Sequence, residues 1–292
     1  MCFIKNLAAL FTAILLALGV TVGNGNGEVT DVPDRKDGAV RIVSFNLRSA
    51  NDIYGTVKNR SVLMERVLTA YAPDSFGVQE ANSEWLSLLD GSLGDRYARV
   101  GDGRSSDKNT EFSCVFYLKD KYELLDSGTI WLSETPDVPG SRDYMSSFPR
   151  ICTWATLRNR ETGFTYTHIN THLDHLLEYT RTKQVDVLLN KITELSGTYP
   201  VVCTGDFNTN EGTETYKKMT AAMDDSRIVA EKTESGKTYH NYGRGDALHT
   251  SAIDFIFVEK GTNVAEYKII KNMVNEMYVS DHYGLCTDIL FE

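Results

Sequence analysis

The sequence predicts an α/β (α+β) domain with a sheet core flanked by helices, and three observations support this prediction. Short apolar stretches rich in β-branched and aromatic residues alternate with longer stretches of helical periodicity. Several of the strand-like stretches are separated by only a few turn residues, as in β-hairpins. The composition, 41% hydrophobic and 24% charged over 292 residues, is that of a globular protein with a substantial core.

The predicted strands are short apolar runs bounded by turn residues. They are "AVRIVSFNLR", "DSFGVQE", "YARVG", "EFSCVFYLK", "YELLDSGTIWLS", "RICTWATLRN", "GFTYTHINTHL", "YPVVCTGDFN", "SAIDFIFVEK" and "MYVSDHYGLCTDIL". The sixth and seventh flank "RETG", which predicts a hairpin. Residues 133–149, with three of the six prolines, are predicted to form a long loop.

Four stretches have the periodicity and end signals of helices. "VKNRSVLMERVLTAYAPD" is expected to stop at Pro73, and "NSEWLSLLDG" to be capped by Asn82 or Ser83 and ended by Gly91. "LEYTRTKQVDVLLNKITEL" and "GTETYKKMTAA" follow later in the chain. Interspersed strands and helices without a repeat period favour one domain.

The N-terminal residues have the layout of a secretory signal peptide. One Lys precedes an apolar run of 14 residues, "LAALFTAILLALGV", and small polar residues follow it. The run is short for a membrane span, so a short N-terminal anchor is the weaker alternative. We therefore expect a signal peptide at 1–23, a flexible leader at 24–38 and a single folded domain at 39–292. The mature protein is expected to be an exported monomer (periplasmic, secreted or cell-surface) without a stable membrane span.

The net charge restricts the class of substrate. Removal of residues 1–23 takes away one charge, that of Lys5, and changes the net charge from −10 to −11. Proteins that bind long nucleic acids normally neutralise many phosphates with Lys and Arg, and no basic run is present here. The charge therefore disfavours long nucleic acid and leaves a small phosphorylated substrate open.

Four cysteines follow the predicted signal peptide, each within a strand-like apolar run. They are Cys114, Cys152, Cys203 and Cys286. No C-x-x-C or Cys/His metal spacing occurs, and a core of this size does not need disulfides. Buried free thiols are expected.

Six predicted strands end in polar or charged residues. These residues are Asn46 in "SFN", Glu80 in "GVQE", Asn170 and His172 in "INTHLDH", Asp206 and Asn208 in "GDFN", Asp254 in "AIDFIFV", and Asp281 and His282 in "VSDHYG". Strand ends that converge on one rim commonly form the active sites of sheet proteins. If the strand stays extended past Gly205, Asp206 and Asn208 share one face, because side chains alternate along a strand.

These residue types fit metal-assisted hydrolysis of a phosphate ester. A hard divalent cation such as Mg²⁺ prefers carboxylate oxygens, and no thiolate cluster or HExxH motif points to zinc. The cation polarises the phosphoryl oxygen, a further carboxylate activates water, and His and Asn donors stabilise the developing charge.

The ordered set Asn46, Glu80, His172, "GDFN", Asp254 and "SDH" resembles the endonuclease/exonuclease/phosphatase superfamily over residues 41–290. "SETPDVPGS", "FPRICTWATL" and "NTHLDH" further resemble its bacterial exported branch, related to nocturnin-like phosphatases and deadenylases. The resemblance implies a four-layer sandwich, with two mostly antiparallel β-sheets face to face and helices outside. It also implies a metal-dependent enzyme that acts on phosphate esters with Mg²⁺ or Mn²⁺.

The resemblance implies a role for each motif position. Glu80 corresponds to the main metal ligand, Asp281 to a position at the metal rim, and Asn46 to a residue that places the phosphate and Asp206 near the metal. Asp206 would activate the attacking water, and Asn208 would bind a phosphoryl oxygen.

The remaining positions concern the transition state and the phosphate. His282 would stabilise the transition state while Asp254 holds its other ring nitrogen, and His172 and Arg150 would contact the phosphate. Arg48 is a departure, because abasic-site endonucleases of this family have an acidic residue there. This removes one potential metal ligand and moves the interpretation away from DNA repair.

Three further histidines have no family role: His168, His175 and His240. Strand parity places His168 on the face of Asn170 and His172, and deeper in the sheet. His175 and His240 are candidates for substrate contact, as are the loops 101–111, 133–149 and 232–250.

The leading hypothesis is a phosphoesterase for a small phosphorylated metabolite, nucleotide or sugar phosphate. A secreted endonuclease or exonuclease is the first alternative, since local aromatic and basic residues suffice for loose single-strand binding. A sphingomyelinase-like or inositol-phosphatase-like activity is a variant of the same chemistry. A non-catalytic surface binding module is the other class, disfavoured because every catalytic motif residue is present.

Overall fold

The structure is a computed structural model that describes residues 29–51, 53, 55–244, 251–271, 273–274 and 277–291. The predicted signal peptide at 1–23 and the first residues of the predicted leader lie outside the described residues. Residues 245–250 of the third predicted specificity loop also lie outside them.

The described strands account for every strand predicted from the sequence. The structure adds the eight-residue strand Asn263–Ile270, which the sequence did not predict, and several strands of two or three residues. In chain order the described strands are β1 Val40–Asn46, β2 Ser75–Gln79, β3 Tyr97–Val100, β4 Val115–Leu118, β5 Tyr122–Trp131, β6 Ile151–Asn159, β7 Thr165–His172, β8 Val201–Asp206, β9 Met223–Asp225, β10 Lys232–Thr233, β11 Asp254–Glu259, β12 Asn263–Ile270, β13 Met273–Val274, β14 Met277–Tyr278 and β15 Gly284–Leu290.

Most of these strands form two large mixed sheets. The seven-stranded sheet has the order β10-β12-β15-β1-β2-β4-β3, and the six-stranded sheet has the order β5-β6-β7-β8-β11-β9. Within them β1 is parallel to β2, β7 to β8 and β10 to β12, whereas the other neighbours are antiparallel. The predicted hairpin of β6 and β7 is confirmed.

The described helices are α1 Val57–Tyr71, α2 Ser83–Leu93, α3 Glu178–Ser196, α4 Glu214–Ala222 and α5 Ser226–Val229. Asn82 caps α2 as predicted, since its side chain accepts a hydrogen bond from the backbone N–H of Trp85 at 2.9 Å. The predicted end at Gly91 is wrong, because α2 continues to Leu93. Burial of Leu93 in the core outweighs the cost of a helical glycine, about 1 kcal/mol.

Three buried clusters separate four layers, which confirms the predicted sandwich. The first packs α1 and α2 on the outer face of the seven-stranded sheet and includes Trp85. The second lies between the two sheets and includes Ile42 and Val202. The third packs α3 and α4 on the six-stranded sheet and includes Leu188 and Cys203.

A polar contact between the sheets lies just below the ends of β2 and β7. The Asn170 side-chain amide donates to the backbone oxygens of Val78 and Cys114 at 2.9 and 3.0 Å, and its oxygen accepts from Gln79 at 2.6 Å. A Cβ at Gly77 would lie 2.4 Å from Asn170 Oδ1, so glycine permits this close approach. Asn170, grouped with the site from sequence, therefore joins the sheets.

Residues 29–38 of the predicted leader lie against the domain. Arg35 pairs with the buried Asp74 at 3.0 Å, and Pro33 accepts a hydrogen bond from Arg41 at 2.9 Å. Val29 and Val32 pack against the first cluster. These ten residues therefore contact the domain along their length rather than extending away from it.

The cysteines follow the sequence prediction. Cys114, Cys152, Cys203 and Cys286 are buried free thiols. Within the described residues, no helix is both long and apolar enough to cross a bilayer.

Candidate active site at the strand ends

The sheet registers bring the predicted site residues to one rim. Asn46 pairs in register with Gln79, so Glu80 follows directly beside it. In the second sheet, Asp206 pairs in register with both His172 and Asp254. Because both sheets end here, carboxylates, amides and an imidazole from five strands meet at one place.

Asn46 links the two sheets at this rim. Its side-chain amide donates to Glu80 Oε1 at 3.1 Å and to Asp206 Oδ2 at 2.9 Å. Glu80 has a left-handed backbone, φ 54°, and its other oxygen accepts from the backbone N–H of Ser49 at 3.2 Å. Such a φ is uncommon in residues other than glycine. The structure therefore brings Asn46, Glu80 and Asp206 together at the rim.

His282 lies between two buried carboxylates. Its Nδ1 is 2.9 Å from Asp254 Oδ2, and its Nε2 is 3.9 Å from Asp206 Oδ2. Burial alone would lower the pKa of His282, but the charge and hydrogen bond of Asp254, with the charge of Asp206, raise it to about 10. Burial and the charge of Asp254 raise the pKa of Asp206. The imidazolium is thus held among carboxylates, and Asp206 is a stronger base than a solvated Asp.

Asn208 reaches the site in a different way from the one predicted. The strand ends at Asp206, and Asn208 adopts a left-handed conformation, φ 49°, with its backbone N–H donating to Asp206 Oδ1 at 2.9 Å. The expectation of an extended chain with both side chains on one face is therefore wrong. The side chain of Asn208 instead points its amide at His172 Nε2 and at the Leu173 oxygen, at 3.0 and 3.1 Å.

His172 is buried beside Asp206, with Nε2 3.6 Å from Oδ2. Burial, followed by the charges of Arg150 and Arg104, lowers its pKa well below the ordinary value, so the ring is neutral. Both amide N–H groups of Asn208 are used within the protein in this arrangement. Phosphate contacts by Asn208 and His172 stay predictions.

Arg150 is buried at the start of β6 with part of its guanidinium unpaired. Its Nη2 lies 3.2 Å from His175 Nδ1, whereas Nε and Nη1 have no hydrogen-bond partner among the described residues. Unpaired buried donors cost about 1–3 kcal/mol each, a cost that an anionic ligand would relieve. This geometry fits the predicted contact of Arg150 with phosphate.

Asp281 is held by Arg48, the residue that departs from the family pattern. Arg48 Nη1 lies 2.7 Å from Asp281 Oδ2, and Asp281 Oδ1 accepts from Ser280 at 3.1 Å. A metal at Asp281 would have to share the carboxylate with Arg48. Its position at a metal rim stays a prediction.

An open cavity of about 340 Å³ lies over these strand ends. This is near the lower bound of ~300 Å³ for small-molecule pockets. The cavity is lined by Arg48, Glu80, Arg104, Glu111, Phe148, Arg150, His172, His175, Asn208, Tyr239, Ile253 and Asp281. Carboxylates and cationic side chains therefore face one space.

Two places at the rim are candidates for binding a divalent cation, the Asp206–Asp254–His282 cluster and the side chain of Glu80. Ligand atoms of Asp206, Asp254 and His282 lie within 4.8 Å of one another, a spacing that could hold a metal. Asp254 Oδ1 is buried and has no hydrogen-bond partner among the described residues. However, a protonated His282 does not ligate a cation. Glu80, half-buried at the cavity, fits a hard cation better.

Of the three other histidines, two are buried within the fold and one lines the cavity. His168 is buried between the hydroxyls of Ser75 and Thr204, at 2.7 and 2.9 Å, and burial lowers its pKa to about 3. His240 is buried and stacks on Tyr283, with ring centroids 4.0 Å apart. His175 is exposed and lines the cavity.

Comparison with known proteins identifies the family. A sequence model of the endonuclease/exonuclease/phosphatase family matches residues 43–282. The chain belongs to this family. No curated protein sequence gives a significant match to the chain.

Solved structures agree with this assignment. An endonuclease/exonuclease/phosphatase from Bacteroides vulgatus is 33% identical with a TM-score of 0.81, over 87% of this chain and 99% of the other. A mannosyl-6-phosphatase from Bacteroides thetaiotaomicron is 28% identical with a TM-score of 0.79, over 86% and 100%. The human nocturnin catalytic domain, 20% identical over 90% of this chain and 97% of its own with a TM-score of 0.71, shares the fold.

Family membership makes this chain an enzyme that hydrolyses phosphate ester bonds. Members of the family generally use a divalent metal ion. The site geometry described above matches that chemistry, because it combines carboxylates with anion-binding donors.

Several residues that line the cavity were not predicted individually from the sequence. Arg104, Glu111 and Phe148 lie in two loops that the sequence marked only as candidate specificity loops, and Tyr239 lies in the third. Loop residues carry no periodicity, so the sequence offers the loop as a signal but not the side chain that faces the substrate.

Proposed function

We propose that this chain is an exported, monomeric phosphoesterase that hydrolyses the phosphate ester of a small metabolite with Mg²⁺ or Mn²⁺. The observation that supports it most is the cavity of about 340 Å³, where Glu80 faces Arg150 and His172 beside the Asp206–His282–Asp254 cluster. Its size suits a small phosphate ester better than a polymer, and the net charge of −10 disfavours a polyanion.

The proposed mechanism assigns a role to each side chain at the rim. Asp206 takes a proton from the attacking water, whose oxygen forms the new bond to phosphorus as the bond to the leaving oxygen breaks. The imidazolium of His282 stabilises negative charge on the phosphoryl group, and Asp254 keeps that ring oriented and protonated. Asn46 holds Asp206 against Glu80.

The phosphate and the metal would occupy the open side of this cluster. Arg150, with two buried N–H groups without a partner among the described residues, would bind a phosphate oxygen, with His172 and Asn208 nearby. A cation held by Glu80, with Asp281 and Asn46 at its rim, would supply positive charge that polarises the phosphoryl oxygen. Asp206 moves the proton, and His282 stabilises the negative charge.

A sugar phosphate is the substrate class we favour within this proposal. The mannosyl-6-phosphatase from Bacteroides thetaiotaomicron has a similar sequence over nearly the whole chain, 28% identical. That similarity supports a phosphomonoester of a sugar over a nucleic-acid strand. Related folds that act on DNA are less similar, such as a zebrafish protein crystallised with single-stranded DNA at 18% identity.

Phosphate release from a substrate panel tests the proposal. The panel contains sugar phosphates, inositol phosphate, nucleotides, a model diester, sphingomyelin and single-stranded DNA and RNA, each with Mg²⁺ or Mn²⁺. Asp206→Asn is expected to reduce kcat by about 10²–10⁴-fold, and EDTA is expected to abolish turnover.

Asp225→Asn is the matched control, because Asp225 is also a buried carboxylate in the six-stranded sheet but pairs with Tyr216 and Arg227. It is expected to retain activity. A folded wild-type protein that hydrolyses no phosphate ester with either metal would contradict the proposal.

A further inference from the structure

One wall of the cavity is built by residues to which the proposed mechanism gives no role. It consists of Arg104 and Glu111 from the β3–β4 loop, Phe148 from the β5–β6 loop and His175 from the segment after β7. We call these four residues the Arg104 wall. All four line the same cavity as Glu80 and His172, so a bound substrate would meet them.

The members of the Arg104 wall contact one another in a chain. Arg104 Nη1 lies 2.6 Å from Glu111 Oε2, and the Arg104 guanidinium lies 4.7 Å from the centroid of the Phe148 ring. Phe148 in turn stacks on His175, with centroids 6.2 Å apart and planes 24° apart. His175 then contacts Arg150, the predicted phosphate ligand, at 3.2 Å. The wall is therefore continuous with the proposed phosphate site.

Backbone contacts fix the two loops that carry the wall. The Arg104 N–H donates to the Glu111 oxygen at 2.9 Å, and the Arg104 oxygen accepts from the Trp131 indole at 2.8 Å. Asp174 accepts from the backbone N–H of Ser147 at 3.0 Å and from its hydroxyl at 2.7 Å. Phe148 follows Ser147 in the chain, and His175 follows Asp174. The two Ser147–Asp174 hydrogen bonds therefore hold Phe148 and His175 side by side.

The chemistry of the Arg104–Glu111 pair points to hydroxyl groups. A guanidinium only donates hydrogen bonds and a carboxylate only accepts them, whereas a hydroxyl does both. Neighbouring hydroxyls on one ring could therefore bond to both members of the pair. A second phosphate fits less well, because Glu111 and Glu80 both line this cavity and two carboxylates repel an anion.

Phe148 adds an apolar surface to this polar pair. Its side chain is 46% exposed at the cavity, although large apolar side chains are usually buried. Contact with Arg104 and His175 orients the two polar side chains, and the ring offers apolar area to the carbon skeleton of a ligand. Apolar area next to paired donors and acceptors is typical of small-molecule sites.

We propose that the Arg104 wall is a subsite for the leaving group, and that the leaving group it binds is a polyhydroxylated ring or chain, as in a sugar or polyol phosphate. This inference rests on the proposed function, since it needs the phosphate at Arg150 and His172. Glu111 and Arg104 bond to the hydroxyls, and Phe148 packs on the carbon skeleton. A nucleotide base or a second phosphate would use the wall differently, and both are outcomes of the test.

The test compares hydrolysis of a hexose 6-phosphate with that of p-nitrophenyl phosphate, which has no hydroxyls on its leaving group. Glu111→Gln and Arg104→Lys are measured in the full chain with Mg²⁺ or Mn²⁺. Each is expected to lower the ratio of kcat/KM for the hexose phosphate to that for p-nitrophenyl phosphate by about tenfold, the usual effect of a lost hydrogen bond to a charged group. The change is expected mainly in KM.

Glu123→Gln is the matched control. Glu123 pairs with Arg158 at 2.5 Å on the β5–β6 hairpin and does not line the cavity. It is expected to leave the ratio unchanged. Thermal melting of each variant shows whether the protein is folded.

Three outcomes would overturn the inference. An equal loss on both substrates would assign the wall to structure or chemistry rather than to the leaving group. Unchanged kcat/KM values for both substrates in both variants would mean that the wall does not contact the substrate. AMP and a hexose bisphosphate are assayed with the same variants, and a larger loss on either would mean that the wall binds a base or a second anion. Absence of hydrolysis of either substrate by the wild-type protein would instead contradict the proposed function.

Discussion

Two fully buried histidines in different regions of the molecule have opposite properties. His168 lies in the layer between the sheets, where the neutral hydroxyls of Ser75 and Thr204 contact its ring. His282 lies at the strand-end rim, where Asp254 contacts its ring and Asp206 lies nearby. Burial lowers the pKa of His168 to about 3, whereas the Asp254 charge overcomes burial and raises that of His282 to about 10.

The difference shows that burial alone does not decide whether a histidine is charged. Burial disfavours the imidazolium at both places, and only the neighbouring charge differs. Neutral hydrogen-bond partners make His168 part of the packing between the sheets. A carboxylate partner makes His282 a cation beside Asp206 at the strand-end rim. The same residue type therefore stabilises the fold in one region and supports chemistry in the other.

The largest expected effect comes from removing the charge that distinguishes the two histidines. Asp254→Asn keeps the shape of the site but removes the carboxylate from His282. We expect the pKa of His282 to fall well below 10 and kcat to fall by about 10²–10⁴-fold, because the imidazolium is lost. A histidine titration followed by NMR measures the pKa, and phosphate release measures kcat.

The Asp225→Asn protein serves again as the control for loss of a buried carboxylate. A normal kcat in Asp254→Asn would remove His282 from the mechanism. A low kcat with an unchanged His282 pKa would mean that Asp254 acts on the site by another route. Either result would mean that the charge of His282 does not distinguish its role from that of His168.

The fold and the rim were largely predictable from sequence for a physical reason. Strands with strong apolar patterns have polar residues at or beside one end, and parallel or antiparallel register then brings together Asn46, Glu80, Asp206 and Asp254. The conformation at Asn208 was not predictable, because the Asp206 carboxylate accepts a hydrogen bond from the Asn208 backbone N–H and ends the extended chain. Periodicity does not reveal such local competition.

The partners of charged residues were likewise not predictable from the sequence. Arg48 appeared only as a lost acidic position, and the structure pairs it with Asp281 across more than two hundred residues. Leu93 extends α2 past Gly91 through a tertiary contact, which end signals do not contain. Long-range contacts therefore account for most of what the sequence left out.

A smaller effect is expected at the other histidine. His168→Leu removes two buried hydrogen bonds at similar side-chain volume, so the free energy of unfolding should fall by about 1–3 kcal/mol. The kcat/KM of the folded protein should stay unchanged, since the described hydrogen bonds of the His168 ring go to Ser75 and Thr204, away from the cavity lining. Urea denaturation and phosphate release measure the two quantities. A large loss of activity in a folded His168→Leu protein would mean that the inter-sheet layer takes part in the chemistry.

The last expected effect is a loss of stability above pH 7 that His282 causes and His168 does not, because the lowered pKa of His168 affects stability only below pH 6.5. The pKa of His282 rises from 6.5 to about 10 on folding, so protonation favours the folded state. This stabilisation is fully present below pH 6.5 and is lost as the pH rises towards about 10. The raised pKa of Asp206 has the same sign, but its stabilisation is lost between pH 3.8 and about pH 7, below this range. The free energy of unfolding should therefore fall between pH 7 and pH 10.

Comparison with Asp254→Asn isolates the contribution of His282 to this slope. Buried cysteines and tyrosines with raised pKa values also destabilise the fold at high pH, but they do so in both proteins. The difference in unfolding free energy between the two proteins should therefore shrink from pH 7 to pH 10, measured in urea with metal removed by chelation. A constant difference would mean that His282 is neutral at pH 7, like His168. The contrast between the two regions would then rest on their position in the fold and not on charge.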